Sequence, residues 1–252
     1  MYKTEQKDHL NYIQYIDRSG CGSVYPFSLA EGIQRGDIYS DKSAFLYWHY
    51  SGFAFLYGRY DERSLGFVSS LFLDSAGANS RRFILFTADD SVERFFRKTG
   101  NVAVERRLFF EYGKECPSER PLPARYSLCD IDNMLLARLN GNITPYFSWD
   151  NSGDFLEKGK GCCIVEGNNI ASWAFSAAVS SEEIDIGIET AAGYRHLGLA
   201  AIVAEKMIQY CLDQHKRPVW ACHGDNIASR KLAEKLGFVK VSECMTIKRA
   251  DG

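Results

Sequence analysis

The sequence predicts an α/β fold of the α+β type, a mixed sheet flanked by helices. Three observations carry this. Apolar, strand-like runs occur in both halves of the chain, at 53–58 and 82–87 and again at 184–190 and 218–223. Apolar residues at helical spacing separate them, most clearly from Leu199 to about His215. Strand, helix and strand then follow at a length that suits a right-handed parallel crossover.

Taken in order, residues 1–43 read as polar and helical or irregular. Leu10, Ile13 and Ile16 suggest a helix, broken by Ser19-Gly20-Cys21-Gly22-Ser23. No Lys-Ser/Thr follows those glycines, so they read as a turn and not as a phosphate loop. The run 53–58 is a short apolar strand. Leu65, Val68, Leu71 and Phe72 share one face of a helix, and 82–87 is the next strand. Asp90 or Ser91 can cap a helix that passes Phe95 and Phe96 and stops at Gly100. Residues 102–111 form a third strand. This gives an N-terminal α/β domain over 1–115. Its aromatic residues, Trp48, Phe53 and Phe55 among them, read as core, because no basic residues interleave them as a nucleic-acid surface requires.

Three of the six prolines fall between Gly113 and Pro123, which marks 116–125 as a linker. A second domain, 126–252, begins with a helix through Ile131, Met134, Leu135 and Leu139 that ends near Gly141. A hairpin follows around Gly167-Asn168-Asn169, then the strand 184–190. Leu199, Val203, Met207, Tyr210 and Cys211 define the buried face of the long helix. After the strand 218–223, Asn226 can cap a short helix that Gly237, in the left-handed position, stops. The last strands are expected as a hairpin through Ser242-Glu243.

Composition narrows the function. A net charge of −2 over 252 residues offers no footprint for nucleic acid or an anionic membrane. No apolar run approaches the ~20 residues that span a bilayer. The first eight residues are polar, without the apolar core of a secretory signal, so the expected location is cytoplasmic. Eight cysteines are scattered with no C-x-x-C and no histidine at zinc spacing. They read as free, mostly buried thiols, and no metal is expected.

The functional signal is the stretch Gly193 to Ala200. It follows a strand and opens a helix, where unpaired amides and the helix dipole favour an anion. The spacing of Gly193 and Gly198 matches a nucleotide-triphosphate loop, but Leu199-Ala200 stands where Lys-Ser/Thr is required. No G-x-G-x-x-G follows any strand, which removes a dinucleotide site. Arg195-x-x-Gly198-x-Ala200 resembles the R/Q-x-x-G-x-G/A signature of the GNAT N-acetyltransferase superfamily. Asn226-x-x-Ser229-x-x-Leu232-x-x-x-x-Gly237-Phe238 resembles that family's second block. Together they cover roughly residues 145–250. A narrower likeness is to two-domain bacterial GNAT proteins that include zwittermicin-resistance acetyltransferases.

The resemblance implies an N-acetyltransferase that uses acetyl-CoA, without a metal, on an amine acceptor. A small molecule such as an amino sugar, an amino-acid derivative or an antibiotic fits best. It places acetyl-CoA between the strands 184–190 and 218–223. Backbone groups of Ile188, Glu189 and Thr190 would hold the acetyl carbonyl and pantetheine. Amides of His196, Leu197, Gly198, Leu199 and Ala200 would hold the pyrophosphate beside Arg195, with Asn226 and Ser229 on the pantetheine side. The family's usual tyrosine acid is replaced by Ala233. For the base, alternation puts Glu183, Asp185 and Glu189 on one strand face, with Asp185 and Glu189 nearest the acetyl position. His223 is the alternative, by its ordinary pKa. Glu183 reads as a solvated turn residue. The N-terminal domain would wall the acceptor pocket or serve a homodimer. A non-catalytic acyl-CoA-binding regulator and a protein acetyltransferase are the rival readings.

Overall fold

A computed structural model describes residues 1–73, 81–114, 117 and 120–250. Cys116 and part of the expected linker lie outside the described residues. In chain order the elements begin with β1 (Tyr2–Lys3), a 3-10 helix (Gln6–Tyr15), α1 (Val24–Ala30), β2 (Gly36–Ser40), β3 (Ala44–His49) and β4 (Phe53–Gly58). Then come α2 (Glu62–Leu73), β5 (Ile84–Thr87), α3 (Asp90–Thr99) and β6 (Val102–Tyr112). The second half has β7 (Ser127–Asp130), α4 (Asn133–Arg138), α5 (Ser152–Lys158), β8 (Gly161–Glu166), β9 (Asn169–Val179) and β10 (Glu183–Thr190). It ends with α6 (Leu199–Asp213), β11 (Arg217–His223), α7 (Ile227–Leu236) and β12 (Phe238–Arg249).

The chain divides into two units: 1–109 with 222–226 and 242–252, and 110–221 with 227–241. The boundary therefore falls inside β6, and the proline-rich stretch belongs to the second unit. There Arg120 Nε lies 2.7 Å from Glu205 Oε1 on α6, which ties that stretch to the helix.

In the first unit β1 to β4 pair antiparallel in sequence, and β5 joins β4 in parallel. Met245–Ile247 of β12 then pair antiparallel with β5. The core is apolar and aromatic: Trp48, Phe72, Phe83, Leu85, Phe96 and Ile247 pack as one cluster. The aromatic residues read as core are indeed there, with Trp48 fully buried and Phe53 and Phe55 nearly so. Strands β2 and β3 were not legible as strands. Every residue of β3 is buried, so its pattern lacks alternation. The cap of α3 is Asp89, whose side chain accepts from the Ser91 amide, one residue earlier than expected.

In the second unit the sheet runs β11-β10-β9-β8-β7, parallel between β10 and β11 and antiparallel elsewhere. The buried face expected for α6 is found at Leu199, Val203, Met207 and Cys211, whereas Tyr210 is half-buried. Asn151 caps α5 and Asp132 caps α4 through side-chain bonds to backbone amides. Gly237 takes φ 107 after α7, as its role as helix stop requires. The expected terminal hairpin is absent: Phe238–Arg249 is one continuous strand. Ser242-Glu243 looks like a turn in sequence, but its backbone stays extended within that strand.

Both halves follow one succession, three antiparallel strands, a helix, a parallel strand, a helix and a strand: β2-β3-β4-α2-β5-α3-β6, then β8-β9-β10-α6-β11-α7-β12.

Candidate active site

The turn into α6 is built from three features. A 3-10 turn, Ala192–Tyr194, ends β10, and the Tyr194 hydroxyl donates to Glu166 Oε2 at 2.9 Å, which holds the turn against the end of β8. His196 then takes φ 64 and Gly198 φ 80. The left-handed Gly198 forms the N-cap of α6, and no side chain caps the helix. Its first turn carries no acidic residue. A Cβ at Gly198 would meet no atom within 4 Å, so the surface above the helix end is open. Arg195, His196, Leu197 and Gly198 are exposed, whereas Leu199 is buried in the core and Ala200 is half-buried. An open helix N-terminus with no carboxylate in its first turn suits an anion such as a diphosphate. Elsewhere in the chain the helix ends at Asp89, Asp132 and Asn151 are occupied by their own side chains.

The strand leading to the turn is paired on its two edges to different lengths. With β9 it pairs through Thr190, but with β11 it pairs only at Glu183, Ile184 and Asp185. From Ile186 onward, the edge of β10 away from β9 has no strand partner among the described residues. Ile188, Glu189 and Thr190 lie on that free length and are half-buried. The Thr190 hydroxyl is 2.8 Å from that of Ser172 on β9.

The carboxylates differ sharply. Glu183 is not a solvated turn residue: it is 8 % exposed, and its Oε1 receives Arg217 Nη2 at 2.6 Å. That bond fixes the first residues of β10 and β11 to each other. Asp185 is also buried, at 5 % exposure. The register offset opposite it falls on β9, where the pairing steps from Ala178 to Ser176, so the alternation along β10 continues. Glu189 is half-buried, and its Oε2 accepts the Ile143 amide at 2.6 Å. The same loop receives the Trp173 indole, which donates to the Ile143 carbonyl at 2.8 Å. Gly141 sits against both: a Cβ there would lie 2.5 Å from Glu189 Oε2 and 2.6 Å from the Trp173 ring. In the sequence Gly141 stands out only as a helix stop. Its contact with Glu189 spans some fifty positions and leaves no local pattern.

Of the remaining candidates, Ser229 Oγ accepts the Trp220 indole N–H at 3.0 Å and so supports the packing of α7 on β11. His223 and Asn226 are counted with the first unit. There His223 Nδ1 lies 3.2 Å from Glu105 Oε2. Burial, reinforced by the Arg107 charge, lowers its pKa below the ordinary histidine value. Ala233, where the family pattern expects the tyrosine acid, is fully buried. The buried thiols Cys162, Cys163 and Cys211 are pushed up to about 12 by burial and stay protonated. Among the described residues no group of three or more His, Cys, Asp or Glu side chains could hold a metal, and no helix is long and apolar enough to cross a membrane.

The chain is similar to known proteins in sequence and in fold. The chain is 27% identical over 229 residues to YdfB of Bacillus subtilis (strain 168), described as an uncharacterized N-acetyltransferase, covering 87% of this chain and 88% of that protein. It superposes on a GCN5-related N-acetyltransferase-like protein from Streptococcus suis 89/1591 with TM-score 0.75 at 23% identity, covering 97% and 100% of the two chains. A tandem GNAT protein from the clavulanic acid biosynthesis pathway gives TM-score 0.55 at 10% identity, covering 96% and 92%. The two structural likenesses concern the fold alone. The sequence matches the GNAT acetyltransferase family over residues 24–246, across both units, and the chain therefore belongs to that family.

Proposed function

We propose that this protein transfers the acetyl group of acetyl-CoA to the primary amine of a small molecule, such as an amino sugar, an amino-acid derivative or an antibiotic. The observation that supports this best is the uncapped, acid-free N-terminus of α6 at Gly198, directly after a strand whose outer edge is free from Ile186 to Thr190. Amides from His196 to Ala200 are suited to the diphosphate, with Arg195 adding charge. The free backbone of Ile188 to Thr190 is suited to the pantetheine amides and the acetyl carbonyl. When bound, acetyl-CoA supplies an activated thioester. Asn226 and Ser229 take part only by the family pattern.

Glu189 is the favoured base. The attacking amine must be neutral, and a carboxylate beside it, directly or through a water, takes the proton. The Ile143 amide fixes one oxygen of Glu189, and the other carries no hydrogen bond among the described residues. Fixing the carboxylate in this way favours proximity catalysis. Asp185 and His223 are the alternatives for that role.

The test is release of coenzyme A thiol from acetyl-CoA across a panel of small amines. Turnover on at least one amine, with mass spectrometry locating the acetyl group on nitrogen, is the expected result. One observation favours a second reading, a non-catalytic acyl-CoA-binding module: the buried Ala233 provides no acid at the usual tyrosine position. Saturable binding of acetyl-CoA with no turnover on any amine or protein would support that reading instead.

A further inference from the structure

The first unit holds a cavity of about 600 Å³ that acetyl transfer, as read above, does not use. It lies where the parallel pairing of β4 and β5 ends, beyond Phe55 and Phe86. By the order of elements, this is the first unit's counterpart of the opening between β10 and β11. Its chemistry has the opposite sign. Asp17, Asp89 and Asp90 line it, and among the described lining residues Arg94 is the one cation. None of the three carboxylates forms an ion pair among the described residues. Hydrogen bonds from Tyr60, at 2.6 Å, and from Ser91 hold the Asp89 carboxyl below the usual range, so it is charged at neutral pH.

An anion is disfavoured for a second reason. No open turn like that at Gly198 precedes α2, because Asp61 Oδ1 accepts both the Ser64 amide at 2.9 Å and its hydroxyl at 3.1 Å. The walls of the cavity are aromatic. Phe55 and Phe86 stack at 4.9 Å, with Tyr57 and Tyr60 beside them. The Tyr57 hydroxyl is sealed from solvent and has no hydrogen-bond partner among the described residues. Carboxylates combined with aromatic faces recognise an ammonium group on an apolar body.

We infer that this cavity binds an organic ammonium ion, its charge met by Asp17, Asp89 and Asp90 and its apolar body by the aromatic walls. This stands independently of the acetyl-transfer reading. The probe is tyramine, with 4-ethylphenol as its uncharged counterpart and inorganic pyrophosphate as the anion. Each is titrated calorimetrically into the full-length protein. Cys21 lines the same cavity, and the Cys244 thiol beside it lowers its pKa, so it is a usable reporter. Its alkylation by iodoacetamide is followed on the Cys21 peptide by mass spectrometry.

Tyramine is expected to bind saturably and to slow Cys21 alkylation, while 4-ethylphenol and pyrophosphate do neither. The D17N/D90N double variant changes two exposed carboxylates. It should weaken tyramine roughly tenfold with the melting temperature retained. If it misfolds, D17N alone replaces it, with a smaller loss expected. The inference is overturned if tyramine neither binds nor protects. It is equally overturned if 4-ethylphenol binds as well, if pyrophosphate protects Cys21, or if the folded variant binds tyramine unchanged.

Discussion

At the scale of single residues, Glu189 and Gly141 form one device. The carboxylate is oriented by the Ile143 amide, and the loop approaches closely only because position 141 has no side chain. Replacing Gly141 with Ala forces a Cβ against the carboxylate and the Trp173 ring. Such overpacking costs about 1–3 kcal/mol, so a lowered melting temperature and a lowered kcat are expected together. Glu189→Gln keeps the shape and removes the proposed base. Its kcat should fall by ~10²–10⁴-fold with acetyl-CoA affinity retained, measured by thiol release and calorimetry. An unchanged kcat would move the role to Asp185 or His223. Glu183 shows why type and spacing mislead at this scale. Its alternation matched a functional face, yet its partner is Arg217, thirty-four positions away and adjacent only through the parallel pairing.

At the scale of elements, the N-terminus of α6 was the most legible feature. A strand, a small-residue turn and an amphipathic helix are all local patterns, and Gly198 is local as well. Its φ of 80 with open space around it makes the cost of a side chain conformational and not steric. Gly198→Val should cost roughly 1–2 kcal/mol through the left-handed backbone. It should also weaken acetyl-CoA binding, because the branched side chain stands over the helix amides. Calorimetry and thermal melting check both. Elements without contrast were missed. In β3 every residue is buried, and the terminal strand Phe238–Arg249 carries turn-forming residues in mid-run. In each case the partner strand decides, and the partner is far away in sequence.

At the scale of the whole molecule, the C-terminal strand decides what can be cut. Met245 to Ile247 pair with Thr87 to Leu85, and Ile247 is fully buried in the first unit's core. A fragment starting at residue 110 therefore loses the partner of that strand. It should be insoluble or bind hydrophobic dye, with light scattering and dye fluorescence as the readout. The acid response is also global. His49 is fully buried, accepts the Ser51 amide on Nδ1, and is pushed down to about 3 by burial. The unfolded chain takes up a proton near 6.5 while the folded one does not. Its contribution is therefore intact above 6.5 and is lost as the pH falls from 6.5 toward 3. His9 and His223, also lowered, act in the same direction. Urea midpoints should fall between pH 7 and 4.5, and more shallowly in His49→Asn, whose side-chain oxygen can accept the same amide. By itself the sequence determined the mixed α/β class, the α6 turn and the family, because capping, periodicity and glycine spacing act within a few residues. Only the tertiary structure decided the ion pair of Glu183, the orientation of Glu189 by a distant loop, the repeated succession of elements and the strand that ends the chain in the first unit. Those depend on burial and pairing between residues far apart, which no local pattern encodes.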